Sequence, residues 1–185
     1  MSKTLFINAC MRKEASRTLK LCREFLAGCE EVAEVDLATM HLAPFDAAML
    51  EVRSALEGTG NYDDALFDLS HQFAQADEIV IGAPYWDQSF PAALKIYFEH
   101  VSVCNIPFIY TSQGECVGQC KAKTLTYITT CGGYLQGANY GYDYVCGIAR
   151  MFGIPEVRLV AAEGLDIVGM DIEAQMDKAR KMMRP

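Results

Sequence analysis

The chain has 185 residues, a formal net charge of −8, and 51% hydrophobic against 22% charged residues. These values are typical of one soluble globular domain that is large enough for a sheet covered on both faces. The negative charge argues against nucleic acid or an anionic membrane as the main partner. No apolar run approaches the roughly 20 residues that span a bilayer. Since Met1–Thr4 leads directly into a strand pattern, we also expect no signal peptide.

The cysteines are spread through the predicted elements and form no C-x-x-C pair. The two closest, Cys116 and Cys120, lack the second half of a zinc site. Such a distribution is typical of reduced thiols that serve as small core residues in a cytoplasmic protein. We therefore predict no disulfide framework and no metal site. The eight cysteines are Cys10, Cys22, Cys29, Cys104, Cys116, Cys120, Cys131 and Cys146.

Hydrophobic periodicity predicts alternating strands and helices in the first half of the chain. Gly28 is expected to end the first helix, and Gly58–Gly60 to break the chain after Ala47–Leu56, a segment compatible with a helix. The strands are Thr4–Ala9, Val32–Leu37 and Glu78–Ala83, and the helices are marked by Leu19, Cys22 and Phe25 or Leu26, then by Leu66, Leu69, Phe73 and Ala76.

In the second half, Pro91 occupies the first-turn position that proline favours and opens the next helix. Residues 107–123 contain aromatic and turn residues in a pattern typical of a hairpin that leaves the sheet. The remaining elements are strand Thr124–Thr130, a helix over about residues 142–152 stopped by Gly153 and Pro155, strand Val157–Ala161, and a last helix from Asp171 with Ile172, Met176, Ala179 and Met183 facing inward.

Five β runs that alternate with helical patterns predict an α/β fold: a doubly wound, five-stranded parallel sheet with helices on both faces. The strand order 2-1-3-4-5 is expected, because crossovers are right-handed and the order reverses beside strand one. We find no internal repeat or linker, so residues 1–185 are predicted to form a single domain, with the hairpin at about 107–123 as an excursion. In this order the loops after strands one, three and four line one crevice.

The loop after the first strand, residues 10–18, suits a phosphate. Ser16 and Thr18 offer hydroxyl groups, and the free N–H groups and dipole of the following helix favour an anion. Arg12 or Arg17 can pair with phosphate oxygens. Taken alone, the loop is better explained as a plain helix cap that has solvated basic neighbours.

The loop after the third strand, Pro84–Phe90, suits a flat ring. Tyr85 and Trp86 follow a buried strand at the edge where open α/β sheets bind ligands, and the polar turn Asp87–Ser89 offers backbone groups. This indicates a planar heteroaromatic ligand, and a flavin is our hypothesis. Packing of the two aromatic residues against the next helix or a partner subunit is an equally weighted alternative.

The loop after the fourth strand contains Gly132 and Gly133, which let the backbone approach a ligand closely. Their N–H groups can stabilise negative charge on a reduced ring, although a plain turn also uses glycines. No G-x-G-x-x-G follows the first strand, which disfavours a Rossmann dinucleotide site, and no G-x-x-x-x-G-K-[ST] occurs.

Four segments resemble the flavodoxin-like NAD(P)H:quinone oxidoreductases, especially their FMN-dependent NADH-azoreductase branch. Pro84–Lys95 is similar to the branch's P-M-Y-N-F-x-x-P-x-x-L-K segment. Phe108–Thr111, with Gly114 and Gly118, is similar to its hairpin motif. Thr129–Gly133 matches its T/S-x-G-G strand ending, and Ala162–Gly164 resembles its A-E-G. The order and spacing agree over roughly residues 4–180.

The resemblance implies a flavodoxin-like fold with bound FMN, whose phosphate is held by Ser16, Arg17 and Thr18. It implies a hydride transfer from NADH or NADPH to flavin N5, then two electrons passed to a quinone, azo compound or similar small-molecule acceptor. It also implies a homodimer with both sites at the subunit interface. The full set of predicted FMN-binding residues is Cys10, Arg12, Ser16, Arg17, Thr18, Pro84, Tyr85, Trp86, Asp87, Gln88, Thr130, Cys131, Gly132 and Gly133.

The sequence departs from the family pattern at a few positions. Asp87 stands where azoreductases often have Asn, and a carboxylate near the ring would make the anionic reduced flavin harder to form. Cys10 stands at a position where Ser is common, and Cys131 at a position where Ser, Thr or Arg is common. We interpret both as inert small side chains. The alternative is that they place thiols beside the flavin. Tyr134 is the predicted substrate contact, but Asn139 stands where vertebrate-type quinone reductases have a histidine.

The leading hypothesis is an FMN-dependent NAD(P)H oxidoreductase with a single site for both half-reactions. The alternatives are a flavodoxin-type electron carrier or a non-catalytic flavin-binding sensor, although the phosphate loop lacks the T-x-T-G-x-T of short flavodoxins. A flavin-free interaction protein with the same fold is a third. His41, His71 and His100 lie outside the three loops, so we predict surface or capping roles for them.

Overall fold

The computed structural model describes residues 2–183. Met1, Arg184 and Pro185, which are part of the predicted domain 1–185, lie outside the described residues. No helix of residues 2–183 is long and apolar enough to cross a membrane. In chain order, the strands and α-helices are β1 Lys3–Asn8, α1 Arg17–Leu26, β2 Glu31–Asp36, α2 Leu37–Met40, α3 Ala47–Thr59, α4 Asp68–Gln75, β3 Glu78–Gly82, α5 Ala92–Val101, β4 Phe108–Tyr110, β5 Cys116–Gly118, β6 Thr124–Thr130, α6 Tyr140–Phe152, β7 Glu156–Ala162 and α7 Ile172–Met182.

The main sheet has five parallel strands in the order β2-β1-β3-β6-β7. This confirms the predicted order 2-1-3-4-5, because β4 and β5 belong to a separate hairpin. Asn8 pairs with both Asp36 and Gly82, and Thr130 pairs with Ala162, so the carboxyl ends of the strands are aligned. The loops that follow β1, β3 and β6 therefore start at one edge of the sheet.

Alternate residues of the strands supply two separate hydrophobic cores. Leu5 and Ile7 of β1 belong to a cluster that contains residues of α4, α5 and α6. Phe6, between them, belongs to a second cluster with residues of α1 and α7. Successive side chains of a strand point to opposite faces of the sheet, so the two clusters lie on opposite faces.

The strands β4 and β5 form an antiparallel hairpin that crosses the end of α6. Phe108 pairs with Gly118 across the hairpin and stacks on Phe152, with 6.0 Å between the ring centroids. A Cβ atom on Gly118 would clash with the backbone of Phe152 and Gly153. Glycine is thus required where the base of the hairpin meets the helix.

Helix α3 continues through the segment that was expected to break it. Gly58 and Thr59 are helical, and the helix ends only at Gly60, which has a φ of 69°. The predicted break at Gly58–Gly60 is therefore wrong for its first two residues. No residue of α3 is buried, and Gly58 has open space around it. A glycine at this position therefore costs the helix no packing contact.

Two further predictions about burial are wrong. Ile172 is 39% exposed, whereas Met176 and Ala179 of the same helix are buried; Ile172 belongs to the first turn of α7. His100 is only 7% exposed, because its ring stacks on Phe45 and its Nε2 is hydrogen-bonded to the carbonyl of Ala43 at 2.9 Å. His100 is thus a satisfied core histidine and does not lie at the surface.

Candidate functional site

A pocket of about 220 Å³ lies at the carboxyl edge of the sheet. It brings together the loops that follow β1, β3 and β6, as the strand order requires. A fourth segment, after β7, completes the wall. The lining residues are Arg12, Ala15, Ser16, Arg17, Thr18, Pro84, Tyr85, Trp86, Thr130, Cys131, Gly132, Leu165 and Asp166.

The start of α1 forms the polar end of the pocket. The Ser16 hydroxyl oxygen accepts a hydrogen bond from the Leu19 N–H at 3.3 Å, which caps the helix. The N–H groups of Arg17 and Thr18 have no acceptor within residues 2–183, as is usual for the first turn of a helix. This end therefore presents free donors and the positive end of a helix dipole.

The polar end is joined to the strand β6 by a pair of hydroxyls. Thr18 Oγ1 and Thr130 Oγ1 lie 2.7 Å apart, and either can donate. Thr18 is fully buried. The bond fixes the first turn of α1 against the end of β6, so the distance between the two ends of the pocket is set before any ligand enters.

The two cations of the pocket have different surroundings. Arg17 donates from one terminal nitrogen to Asp166 Oδ1 at 2.8 Å and to the Leu165 carbonyl at 3.1 Å. Arg12 has no ion pair with another residue in the range 2–183. Asp166 thus brings a negative charge from the segment after β7 to the basic loop that precedes α1.

A tight two-residue turn forms the aromatic end of the pocket. Trp86 and Ser89 exchange two backbone hydrogen bonds, at 3.0 and 2.8 Å, around Asp87 and Gln88. These two residues have φ values of 50° and 66°, as a type I′ turn requires. Trp86 is consequently held at the rim, where its side chain is 41% exposed.

Tyr85 is fixed more firmly than Trp86. Its N–H donates to the Thr130 carbonyl at 3.0 Å, and its hydroxyl donates to the Ala138 carbonyl at 2.9 Å. Tyr85 is therefore bonded to β6 through its backbone and to the loop before α6 through its hydroxyl. Half-buried Tyr85 and exposed Trp86 together offer an aromatic surface beside the polar end of the pocket.

The loop after β6 is paired with the segment after β7. The N–H groups of Gly164, Leu165 and Asp166 donate to the carbonyls of Gly133, Cys131 and Gly132, at 2.7 to 3.1 Å. A Cβ atom on Gly132 would clash with the Asp166 carboxylate, so any other residue there would displace this exposed side chain.

Cys131 lines the pocket, and burial raises the pKa of its thiol. The thiol is therefore protonated at neutral pH and is a poor nucleophile there. Cys10, by contrast, is 1% exposed and does not line the pocket. A hydrogen bond from the Cys22 thiol lowers the pKa of Cys10, whose Sγ also contacts the Gly82 carbonyl at 3.6 Å.

The predicted site residues fall into two groups. Ten of them line the pocket together: Arg12, Ser16, Arg17, Thr18, Pro84, Tyr85, Trp86, Thr130, Cys131 and Gly132. The others flank it: Cys10 lies beneath it, Asp87 and Gln88 form the tip of the turn, and Gly133 and Tyr134 follow Gly132 as exposed residues. Asn139 is the N-cap of α6, where its Oδ1 accepts from the Tyr142 N–H at 2.9 Å.

Sequence reasoning missed Ala15, Leu165 and Asp166. A signal for the last two was present. β7 lies beside β6 in the predicted order, so the loop after it starts at the same edge of the sheet as the loop with Gly132. An acidic residue in that position, close to a loop with two arginines, could have been proposed as a partner for one of them.

Comparisons with known proteins agree with this geometry. A family model described as a flavodoxin-like fold matches residues 2–184. An FMN-dependent NADH:quinone oxidoreductase of Coprothermobacter proteolyticus is 32% identical over 98% of this chain and 96% of the relative. An FMN-dependent NADH:quinone oxidoreductase 2 of Clostridium acetobutylicum is 34% identical over 94% of this chain and 92% of the relative.

A solved structure, an azoreductase from Bacillus anthracis, superposes with a TM-score of 0.83 at 25% sequence identity and covers 99% of each chain. The family resemblance noted in the sequence is confirmed by these matches, which extend over almost the whole chain. This chain belongs to the flavodoxin-like family, together with the FMN-dependent NADH:quinone oxidoreductases that it matches.

Proposed function

We propose that this protein is an FMN-dependent NADH oxidoreductase that delivers electrons to small quinone or azo acceptors. The observation that carries the proposal is the pocket itself, which joins a polar, cationic end at α1 to an aromatic end at Tyr85 and Trp86. The relatives named above supply the reaction class. A flavodoxin-type carrier is not favoured, because those relatives are named as oxidoreductases.

The residues of the pocket fit FMN. A phosphate needs hydrogen-bond donors and positive charge, and the free N–H groups of α1, Ser16, Arg12 and Arg17 offer both at one end. A tricyclic ring needs a flat apolar surface and close backbone, which Tyr85, Trp86 and Gly132 offer at the other end. Because Gly132 has no side chain, this wall is thin.

We assign the phosphate to Ser16, Arg17 and Thr18, with Arg12 as a second cation. The amides of Arg17 and Thr18 donate to it, and the Ser16 hydroxyl can donate while its oxygen still caps α1. Thr18 also holds Thr130 through its hydroxyl, so its contribution to the phosphate comes from its N–H. With this division of roles, the Arg17 and Thr18 N–H groups and the Ser16 and Thr18 hydroxyls all have a hydrogen-bond partner.

We assign the ring to Pro84–Trp86 and Thr130–Gly133, with Asp87 and Gln88 contributing backbone groups from the tip of the turn. Bound FMN supplies two-electron chemistry, accepting a hydride from NADH and passing two electrons to the acceptor. The N–H groups of Gly132 and Gly133 stabilise negative charge on the reduced ring. Since the Cys131 thiol is protonated, it adds no negative charge there.

Two predicted residues act at the margins of the site. Tyr134 is 55% exposed, and we propose that it contacts the acceptor at the mouth of the pocket. Cys10 supports the phosphate loop from below through its contacts with Gly82 and Cys22, without touching the cofactor.

We further propose that residues 1–185 form one FMN-binding domain, that two copies form a homodimer and that the protein acts in the cytoplasm. The family model spans residues 2–184. Helix α3 has no buried residue and exposes Leu50 and Val52, two apolar side chains that a second copy would cover. All eight cysteines are free thiols, which fits a reducing compartment.

The experiment is an anaerobic titration. The purified chain, loaded with FMN, is mixed with NADH while the flavin absorbance is followed, and a quinone is then added. We expect NADH to bleach the flavin and the quinone to restore it. Bound flavin that NADH does not bleach would contradict the enzyme and favour a carrier or sensor, and a chain that rejects FMN would contradict the assignment altogether.

A further inference from the structure

Arg17 is held at one side of its guanidinium group. One terminal nitrogen carries two hydrogens and makes two hydrogen bonds, to Asp166 Oδ1 at 2.8 Å and to the Leu165 carbonyl at 3.1 Å. A guanidinium has five N–H donors in a fixed planar fork, so about three donors remain. Among residues 2–183 these three have no acceptor. Arg17 is one of the residues that line the pocket.

The two residues that accept hydrogen bonds from Arg17, Leu165 and Asp166, are themselves fixed through their backbone. The Asp166 N–H donates to the Gly132 carbonyl at 2.9 Å, and the Leu165 N–H donates to the Cys131 carbonyl at 3.1 Å. Both acceptors of Arg17 therefore belong to a segment that is hydrogen-bonded to the loop directly after β6. The last residue of β6, Thr130, also bonds the Thr18 hydroxyl. Arg17 is anchored to the same framework as the helix start that carries it.

We propose that Asp166 is a positioning residue, which holds Arg17 so that its remaining donors face the phosphate of the flavin cofactor. This inference rests on the proposed function, because it names the cofactor's phosphate as the ligand. Asp166 acts through Arg17, by reducing the conformational freedom that this long side chain would otherwise lose when the phosphate binds.

A carboxylate beside an anion site also has an opposing effect, since it repels the phosphate. The Asp166 side chain is 72% exposed and the Arg17 side chain 41% exposed, so water and salt screen that repulsion. The bond from Arg17 to Asp166 acts at 2.8 Å, where screening is weaker than for charges farther apart, and the bond to the Leu165 carbonyl involves no negative charge. Positioning therefore outweighs repulsion, and removing the carboxylate weakens phosphate binding.

The test compares FMN with riboflavin, which has the same ring and no phosphate. Both are titrated into the full-length chain after flavin removal, with quenching of flavin fluorescence as the signal. We expect Asp166→Asn to raise the Kd of FMN about fivefold and to leave the Kd of riboflavin within about twofold. Asp166→Glu, which keeps the charge, restores most of the FMN affinity.

A double-mutant cycle shows whether Asp166 acts through Arg17. In an Arg17→Ala background, Asp166→Asn should leave the Kd of FMN within about twofold, because the side chain that it positions is gone. Asp63→Asn is the matched control. It makes the same substitution at an exposed residue that does not line the pocket, and it should change neither Kd.

Each outcome has a defined meaning. Tighter FMN binding by Asp166→Asn would show that repulsion dominates and would overturn the proposal. Equal weakening of FMN and riboflavin would assign Asp166 a general structural role and would also overturn it. If the unsubstituted chain binds neither flavin, the proposed function fails as well; if it binds FMN better than riboflavin and Asp166→Asn keeps that ratio, only this inference fails.

Discussion

The two ends of the pocket are built in different ways. The polar end is held by hydrogen bonds and an ion pair within the protein: Ser16 caps α1, Thr18 is hydrogen-bonded to Thr130, and Arg17 is paired with Asp166. The aromatic end depends on a two-residue turn with two left-handed residues, and its outermost ring, Trp86, is 41% exposed. The polar end is held by side-chain hydrogen bonds, whereas Trp86 at the aromatic end is held by backbone conformation.

Under the proposed function, the two ends correspond to the two halves of FMN, which need different kinds of binding site. A phosphate is bound through directed donors, which are useful only if they are fixed in advance. A ring is bound through area and stacking, which tolerate some freedom. Substitutions at the polar end should therefore distinguish FMN from riboflavin, whereas substitutions at the aromatic end should weaken both flavins alike.

The largest effect is expected for Trp86→Ala. Loss of the exposed ring should raise the Kd of FMN and of riboflavin about 30-fold, equivalent to about 2 kcal/mol of stacking. The free energy of unfolding should fall by about 1 to 2 kcal/mol, because the residue is 41% exposed and the rest of its surface packs against the protein. Flavin titration and urea denaturation measure the two quantities. Trp86→Phe is the control, and a loss confined to FMN would contradict the assignment of the ring.

The hydroxyl pair between Thr18 and Thr130 comes next. Thr18→Val keeps the shape of the side chain but leaves the Thr130 hydroxyl without its partner, so urea denaturation should show a loss of about 1.5 kcal/mol. The double variant Thr18→Val/Thr130→Val should recover part of this loss, since neither hydroxyl is then orphaned. Losses that simply add would mean that the two hydroxyls are not coupled.

A smaller effect is expected for Ser16→Ala. Loss of the helix cap should lower the free energy of unfolding by about 1 kcal/mol. The same change removes a hydroxyl from the phosphate end, so FMN binding should weaken severalfold while riboflavin binding is unchanged. Ser16→Thr, which keeps a capping hydroxyl, is the matched control. Weakening of riboflavin by Ser16→Ala would argue that the phosphate and ring ends are not separate.

The smallest effect is expected for Gln88→Gly, and it is a gain. Gln88 has a φ of 66°, which glycine adopts without the steric cost that other residues carry. We expect about 0.5 kcal/mol more stability in urea denaturation and unchanged flavin affinity. Ser89→Gly, at the next position and without a positive φ, should be destabilising. Stabilisation by both variants would contradict a specific role for the turn.

Much of the fold could be predicted from local patterns. The strand Glu78–Gly82 is an apolar run that ends at a glycine, and Pro91 precedes the helix that begins at Ala92. These features are properties of short segments. The strand order then followed from general rules of handedness, which also brought the three predicted loops to one edge.

The features that could not be predicted depend on contacts between distant segments. The pairing of Arg17 with Asp166 spans 149 positions and requires the loop after β7 to lie on the loop after β6. The burial of His100 results from its stacking on Phe45. The end of α3 was placed too early because glycine disfavours helices on average, whereas an exposed helix can include Gly58 at modest cost.

The contact between Gly118 and Gly153 has a consequence for how this hairpin can change. A Cβ atom at Gly118 would clash with the backbone at the end of α6, so only glycine fits at position 118. At the tip, residues 112–115 are exposed and touch little else. Insertions and new side chains can therefore accumulate at the far end while the attachment stays constant, which makes the hairpin a place where related enzymes can diverge without losing the sheet.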